Sequence, residues 1–376
     1  MDHTELTQFR DMMRRLAAER IEPYAAEVDK TSERPTKAYE GLREAGITGL
    51  AAPERIGGQG GDLLSQCVAL EEISRVCATT GLTLMTCWSF ADSVVTFGNA
   101  QQLVAAEQVA SGASLGSWCY TEPQGGSDLS GARTRAVKCE GGWKLNGTKR
   151  FITNAGWSDW YLVLARTEGD AFGIFLVHRQ DGGVTFGTPE SKMGMRGSPT
   201  ADVLLEDCFV PDWRVLGDPL KGLEIASASL VESRCHVAAQ ALGIAQGALD
   251  AAVEYTKQRK QFDRPISAHQ LVRGMIADMA VKVESSRALL YKAVELVHID
   301  RDKARAFSSM AKMLCSDTAM AVTTDAVQLH GGYGYIDGYA VERMMRDAKI
   351  TQIYEGTNQI QRLIIAKHVL GQSSRA

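Results

Sequence analysis

Between residues 272 and 297 the positions Val272, Met275, Met279, Val283, Ser286, Leu290, Ala293 and Val297 recur three or four apart, which sets them on one face of a long helix. A second such stretch starts near 308 and ends at Gly331-Gly332, and a third, capped by Thr357 or Asn358, runs through Ile360, Leu363 and Ile364 to Gly371. The first 115 residues also read as helices, broken by the PERIGGQGGD loop at 53–62. Between 116 and 218 the pattern changes to short apolar runs separated by glycine turns: WYLVLAR (160–166), FGIFLVH (172–178), GVTFG (183–187) and ADVLLEDCFVP (201–211). In GGWKLNGTKRFIT, Asn146-Gly147 carries a hairpin signal, because both residues tolerate positive φ. Further along that run, Phe151 and Thr153 stand two apart and so share a strand face. Helices, strands and helices again predict an α+β chain: an N-terminal helical domain (1–115), a middle β domain (116–218) expected to be a small barrel or sandwich, and a C-terminal helical bundle (219–376).

Composition narrows the class without changing that picture. The 376 residues are 45% hydrophobic and 23% charged with a formal net charge of -4, too mild an acidity to imply attraction to nucleic acid or anionic lipid. Eight cysteines are scattered singly, with neither the CxxC pairs nor the Cys/His clustering of a metal or redox centre, so no metal is expected and the thiols read as reduced. The opening MDHTELTQFRDMMRRLAAER is charged from its second residue, unlike a signal peptide, and no later run reaches the roughly 20 apolar residues of a membrane span. The expectation is a soluble, cytoplasmic protein.

The candidate chemistry lies in loops and helix ends. YTEPQGGSDLSG (120–131) mixes a threonine, a proline turn, glycines and a serine, a composition in which exposed N–H groups and hydroxyls can cradle phosphate or carbonyl oxygens. No GxGxxG follows an opening strand, so a Rossmann site is not indicated. QIYEGTNQIQR (352–362) carries a lone acid, Glu355, between a tyrosine and a glycine just before a helix resumes. With KRFITNAG, KMGMRGS, RKQF followed by HQ, and QLHGGYGY, these segments stand in the order found in one family. Across nearly its whole length the chain resembles the acyl-CoA dehydrogenases, flavoproteins with a helical N-terminal domain, a middle β-barrel domain and a C-terminal four-helix bundle.

The resemblance implies FAD as cofactor and assigns roles residue by residue. Trp118, Tyr120, Thr121 and Ser127 would lie along the flavin and its diphosphate, Phe151 and Thr153 beside the flavin ring, and Thr357 and Gln359 next to the dinucleotide. Arg259, Phe262, Gln270, Gln328 and Gly332 match positions that reach the FAD of a neighbouring subunit, which implies a homotetramer built as a dimer of dimers. Ser127, Ser198, Arg234, Tyr354 and Gly356 fall on the substrate side, Ser198 and Arg234 near the carrier portion of the thioester.

Desaturating an acyl thioester needs a base at the α carbon, a hydride acceptor at the β carbon and hydrogen bonds to the thioester carbonyl. Glu355 matches the family's base and the Gly356 N–H a carbonyl donor; Glu232, next to the position where some relatives carry the base, is the second candidate. The implied activity is dehydrogenation of an acyl-CoA to the trans-2-enoyl-CoA, in fatty acid metabolism, with electrons passing to an electron-transfer flavoprotein. Alternatives are an acyl-CoA oxidase, a dehydrogenase of carrier-protein-bound acyl groups, a flavin monooxygenase, or a DNA-binding flavoprotein on the same scaffold. Two features separate the chain from the common pattern: Asp263 replaces a glycine after RKQF, and Trp88 and Phe90 lie in the helix that walls the acyl pocket in the family.

Overall fold

The computed structural model describes residues 3–371. Six helices come first: α1 (His3–Arg20), α2 (Glu22–Thr31), α3 (Thr36–Glu44), α4 (Leu63–Val76), α5 (Ala78–Phe97) and α6 (Leu103–Ala110). Asp62 starts α4 by accepting the Ser65 N–H at 2.8 Å, which satisfies one of the open donors of the first turn. α4 and α5 are buried on nearly every side, and α4 packs along a helix of the C-terminal bundle.

Eight strands follow: β1 (Gly116–Cys119), β2 (Arg135–Cys139), β3 (Gly142–Thr153), β4 (Trp160–Arg166), β5 (Phe172–His178), β6 (Val184–Phe186), β7 (Thr200–Pro211) and β8 (Val215–Leu216). They form one sheet in the order β6-β7-β3-β2-β4-β5-β8, with β1 pairing parallel to β4 along residues 160–163, on the edge that β2 meets at Arg166. The sheet is open, not the closed barrel expected from the sequence. Its outermost strands are two or three residues long and do not pair with each other, and helices cover what closure would have covered. Leu162, Leu164, Ile174 and Leu176 pack against Phe90, Val94 and Val109 of α5 and α6, while Tyr161, Val163 and Phe175 face Trp143, Leu145 and Val203 inside the curled sheet. Burial on both faces is why β4 and β5 read as continuous apolar runs.

Asn146-Gly147 is not a hairpin turn. The β2–β3 turn lies at Glu140-Gly141, where Gly141 has φ +73°, and β3 runs straight through 146–147 with a register slip between Leu145 and Gly147. Glycine is needed there for closeness: a Cβ on Gly147 would stand 2.7 Å from the Thr134 Cα. The Asn146 side chain meanwhile accepts the Asp207 N–H at 2.8 Å across the bulge.

The C-terminal bundle contains α7 (Gly222–Gln258), α8 (Gln270–Ile299), α9 (Arg301–His330), α10 (Ala340–Thr351) and α11 (Asn358–Val369), with a small hairpin, β9 (Lys260–Gln261) and β10 (Arg264–Pro265), between α7 and α8. α9 begins earlier than its apolar spacing suggests, because Asp300 caps it by accepting the Lys303 N–H at 3.1 Å. α7, α8 and α9 pack on one another, α10 packs on α7 and α9, and α11 on α9. The fourth position of the bundle is thus shared by two short helices, and the break between them is the segment that holds Glu355. Arg287 of α8 and Arg10 of α1 converge on the buried Glu71 of α4, at 2.7 and 3.0 Å, and join the two helical regions.

Candidate active site

Glu355 adopts φ +52° and Gly356 φ +87°. The first value is unusual for a residue with a Cβ, and such strain persists only where the surroundings impose it. Here three groups do. Lys312 donates to the Gly356 carbonyl at 2.8 Å and to Asn358 Oδ1 at 3.0 Å. Gln361 donates to the Glu355 and Gly356 carbonyls at 3.1 and 2.9 Å. Thr357 caps α11 by accepting the Ile360 N–H at 3.3 Å. A side chain at 356 would collide with Gln361, since a Cβ there would lie 2.6 Å from its amide nitrogen.

The turn leaves two groups turned outward. Among the described residues nothing accepts the Gly356 N–H, and the half-buried Glu355 carboxylate takes only the Ser233 hydroxyl, at 3.0 Å. Burial raises the Glu355 pKa; the Ser233 hydrogen bond and the charges of Arg234 and Lys312 pull it back down. Lys312 is itself pulled down to about 7 by burial, with Glu355 opposing that shift. Arg234 falls to about 10, through burial and then the like charge of Arg305, and its Nε has no protein partner.

Of the other sequence-predicted residues, Tyr120, Arg234 and Tyr354 lie near enough to feel the Glu355 charge. The Tyr120 hydroxyl is buried without a partner, and burial and then the Glu355 charge both raise its pKa. Its ring lies 4.5 Å from that of Trp118, centroid to centroid. Thr121 accepts the Arg150 N–H at 2.8 Å, which ties its loop to β3. Phe151, at φ +57°, is 58% exposed with the Arg150 guanidinium 4.8 Å above its ring; Ile152 is buried and Thr153 half-buried, and a register slip between Lys149 and Ile152 interrupts the strand alternation expected to set Phe151 and Thr153 on one face. Tyr354 donates to Gln240 and packs into the core. Ser127 and Gln359 are exposed. Ser198 is buried and gives its hydroxyl hydrogen to Asn154, at 2.8 Å. Beside it an open groove of about 950 Å³ brings Arg34, Lys192 and Arg196 to its walls.

Arg259, Phe262, Gln270, Gln328 and Gly332 are not brought to Glu355 of their own chain. Gln328 lies 16 residues beyond Lys312 on α9, about 24 Å along the axis at 1.5 Å per residue. All five are exposed. Phe262 is 87% exposed at a two-residue turn where it and Asp263 both have positive φ, +52° and +60°, which is how an aspartate serves at the family's glycine position. Leu271, Tyr333, Tyr335 and Ile336 are exposed as well. Trp88 and Phe90 are both buried: Phe90 packs beneath β1, whereas Trp88 donates to the Thr48 carbonyl at 2.9 Å.

Comparison with known proteins agrees with this architecture. The acyl-CoA dehydrogenase N-terminal, middle and C-terminal domains match residues 3–108, 117–208 and 220–370. The chain belongs to the acyl-CoA dehydrogenase family. An acyl-CoA dehydrogenase of Bacillus subtilis is 43% identical over 98% of this chain and 98% of its own. A chain in the solved structure named for the electron transferring flavoprotein of Acidaminococcus fermentans superimposes with a TM-score of 0.93 at 41% identity, covering 98% of this chain and 100% of that one. The butyryl-CoA dehydrogenase of Megasphaera elsdenii does so with 0.92 at 38% identity, covering 97% and 98%. The protein is therefore an oxidoreductase of a family that depends on FAD, and no described helix is long and apolar enough to cross a membrane.

The residues present fit such a cofactor. The buried Tyr120 hydroxyl lacks a partner among the described residues, and the exposed Phe151 offers an aromatic surface in the same domain. Sequence reasoning missed Lys312, Gln361 and Asn358, which hold the turn. In the sequence Ser308, Lys312 and Ser316 are a polar stripe four residues apart that reads as a solvated helix face; only the fold shows all three fully buried, where a polar stripe requires partners.

Proposed function

We propose that the chain is an FAD-dependent acyl-CoA dehydrogenase that forms a trans-2-enoyl-CoA, with Glu355 removing the α proton and the electrons leaving to an electron-transfer flavoprotein. The observation that carries this reading is the turn at 355–356: a carboxylate on a strained backbone and a neighbouring N–H without an acceptor among the described residues are held side by side by buried polar groups, Lys312 and Gln361. The Gly356 N–H is suited to the thioester carbonyl, where it would stabilise enolate charge as the proton leaves. Burial raises the Glu355 pKa, which makes the carboxylate a stronger base toward a carbon-bound proton, and the Ser233 hydrogen bond and the charges of Arg234 and Lys312 oppose that rise. When bound, FAD supplies the two-electron acceptor for the β hydride. Trp118, Tyr120, Thr121, Ser127, Phe151, Thr153, Thr357 and Gln359 would hold it from this chain, and Ser198, Arg234 and Tyr354 would border the substrate.

Arg259, Phe262, Gln270, Gln328 and Gly332 would serve the FAD of a neighbouring subunit in a homotetramer. Supporting this, all five are exposed, the Arg259 guanidinium lies 5.6 Å over the Tyr333 ring, and Leu271 and Tyr335 are 85% and 87% exposed, large apolar side chains that an interface would cover. Strands from 116 to 216 between two helical regions support domain limits near 115 and 218, and a cytoplasmic location follows from the same reading. The test is anaerobic mixing of the holoenzyme with a straight-chain acyl-CoA. The wild type bleaches its flavin absorbance, and Glu355→Gln keeps its flavin but slows bleaching by about 10²–10⁴-fold. A Glu355→Gln enzyme that bleaches at the wild-type rate overturns the assignment.

A further inference from the structure

Ser233, which donates to Glu355, also forms a wall of a small recess of about 10 Å³, room for one polar group the size of water or ammonium. Trp88 and Asp92 of α5 and Ser229, Glu232 and His236 of α7 line it too, and no lysine or arginine does. Burial, and then the neighbouring Glu232, push the Asp92 carboxyl up to about 7.

His236 is a second, independent sign. It is 4% exposed, and its Nε2 lies 2.8 Å from Gln66 Oε1. The Gln66 amide nitrogen donates to the Gly61 carbonyl at 2.9 Å, so its oxygen must accept and the imidazole proton sits on Nε2. Nδ1 is then a bare acceptor, and no protein group donates to it. Burial holds the ring neutral, its pKa down at about 4. Three of the neighbouring donors are committed elsewhere, Trp88 Nε1 to the Thr48 carbonyl at 2.9 Å, the Ser229 hydroxyl to the Ile225 carbonyl at 3.2 Å, and Ser233 to Glu355 at 3.0 Å, and the Ser89 hydroxyl, which also lines the recess, is one neutral donor. Against that one neutral donor stand two acceptors, the buried His236 Nδ1 and the Asp92 carboxylate, whose ionised form a bound cation would favour. A methyl group placed there would take them out of water with nothing in exchange. A hydrogen-bond donor carrying positive charge satisfies both and can also lie against the Trp88 face.

Resting on the dehydrogenase reading above, we propose that this recess ends the acyl site and selects short acyl groups that carry a protonated amine, with Asp92 and His236 as the specificity-determining residues. Two isosteric thioester pairs test it, each exchanging ammonium for methyl: 3-aminobutyryl-CoA against 3-methylbutanoyl-CoA, and 2-aminobutyryl-CoA against 2-methylbutanoyl-CoA. Binding is measured by calorimetry on Glu355→Gln holoenzyme, and flavin reduction anaerobically on the wild type. In at least one pair the amino member binds tenfold or more tightly than its partner and reduces the flavin faster. Asp92→Asn, or Asp92→Ser should the first fail to hold flavin, lowers that ratio by tenfold or more. Equal or better binding of the methyl members in both pairs overturns the proposal, as does a ratio indifferent to Asp92. If the methyl members alone reduce the flavin, only the amine preference falls. If none of the four thioesters reduces it, and butyryl-CoA also fails, the dehydrogenase reading falls and this one with it.

Discussion

Lys149 in β3 and Lys312 in α9 are both fully buried, yet their surroundings are opposite in kind. Lys149 donates to Glu122 at 2.7 Å, and Glu122 also accepts the Arg133 and Thr134 N–H groups at 2.6 and 3.0 Å. Burial alone would raise the Glu122 pKa, but Lys149 and those donors hold it near 2. Lys312 meets only neutral acceptors, the Gly356 carbonyl and Asn358 Oδ1. The first lysine is a closed ion pair whose charge is cancelled where it sits. The second keeps an uncancelled charge within reach of Glu355. One arrangement fixes a loop; the other fixes a turn and also bears on the acidity of the carboxylate that the turn presents.

Breaking the closed pair is expected to give the largest effect on stability. Lys149→Met leaves the Glu122 charge buried and costs about 3–5 kcal/mol, read as a lower denaturation midpoint, and replacing Glu122 by Leu as well restores most of it. If Lys149→Met costs under about 1 kcal/mol, the two lysines do not differ as argued. The pH dependence has a definite sign. The folded pKa of Glu122 is depressed, so its contribution is present above its ordinary value of about 4.3 and is lost as pH falls toward about 2.

Lys312 works the other way. Its folded pKa of about 7 lies below the roughly 10.4 of the unfolded chain. Between these values the unfolded state holds more protons, so this group makes stability rise with pH. Lys312→Met removes that slope, which melting temperatures measured from pH 7 to 9.5 will show against the wild type. It also removes a positive charge that favours ionised Glu355. The acid limb of the pH profile for flavin reduction should therefore move up by about one unit, corresponding to about 1.4 kcal/mol. An unmoved acid limb would make Lys312 a purely structural lysine like Lys149.

The two regions also differ in how far the sequence revealed them. β4 and β5 were legible to the residue, because burial on both faces leaves an uninterrupted apolar run with polar ends. Barrel closure was not, because it depends on whether β6 and β8 meet, which no local pattern encodes. Asn146-Gly147 misled because glycine serves two ends, positive φ and close approach, and only the fold decides between them. At the site, Glu355 and Gly356 were visible through their motif. Lys312 lies 43 residues earlier on another helix and was not, since a lone lysine in a helix reads as solvated until its neighbours are placed. His236 and Asp92 were hidden for the same reason: each belongs to a helix, and what they face is set by the packing of α4, α5 and α7.

The smallest expected effect on the plateau rate isolates charge from position at Glu355. Ser233→Ala removes one hydrogen bond to the carboxylate and leaves Lys312 and Gln361 holding the turn. A hydrogen bond to a charged group contributes about 1.5–3 kcal/mol when buried, and less where the acceptor is half-buried and water can replace the lost donor. The acid limb of flavin reduction should rise at least as far as for Lys312→Met, because the Ser233 hydrogen bond is the largest of the groups that lower the Glu355 pKa, but with a smaller fall in the plateau rate because the turn keeps its geometry. The double variant then separates the two causes. If Ser233 and Lys312 act only through the ionisation of Glu355, their shifts add and the plateau of the double variant matches that of Lys312→Met. If the plateau falls well below it, Ser233 also orients the carboxylate, and the hydroxyl counts among the groups that position the base.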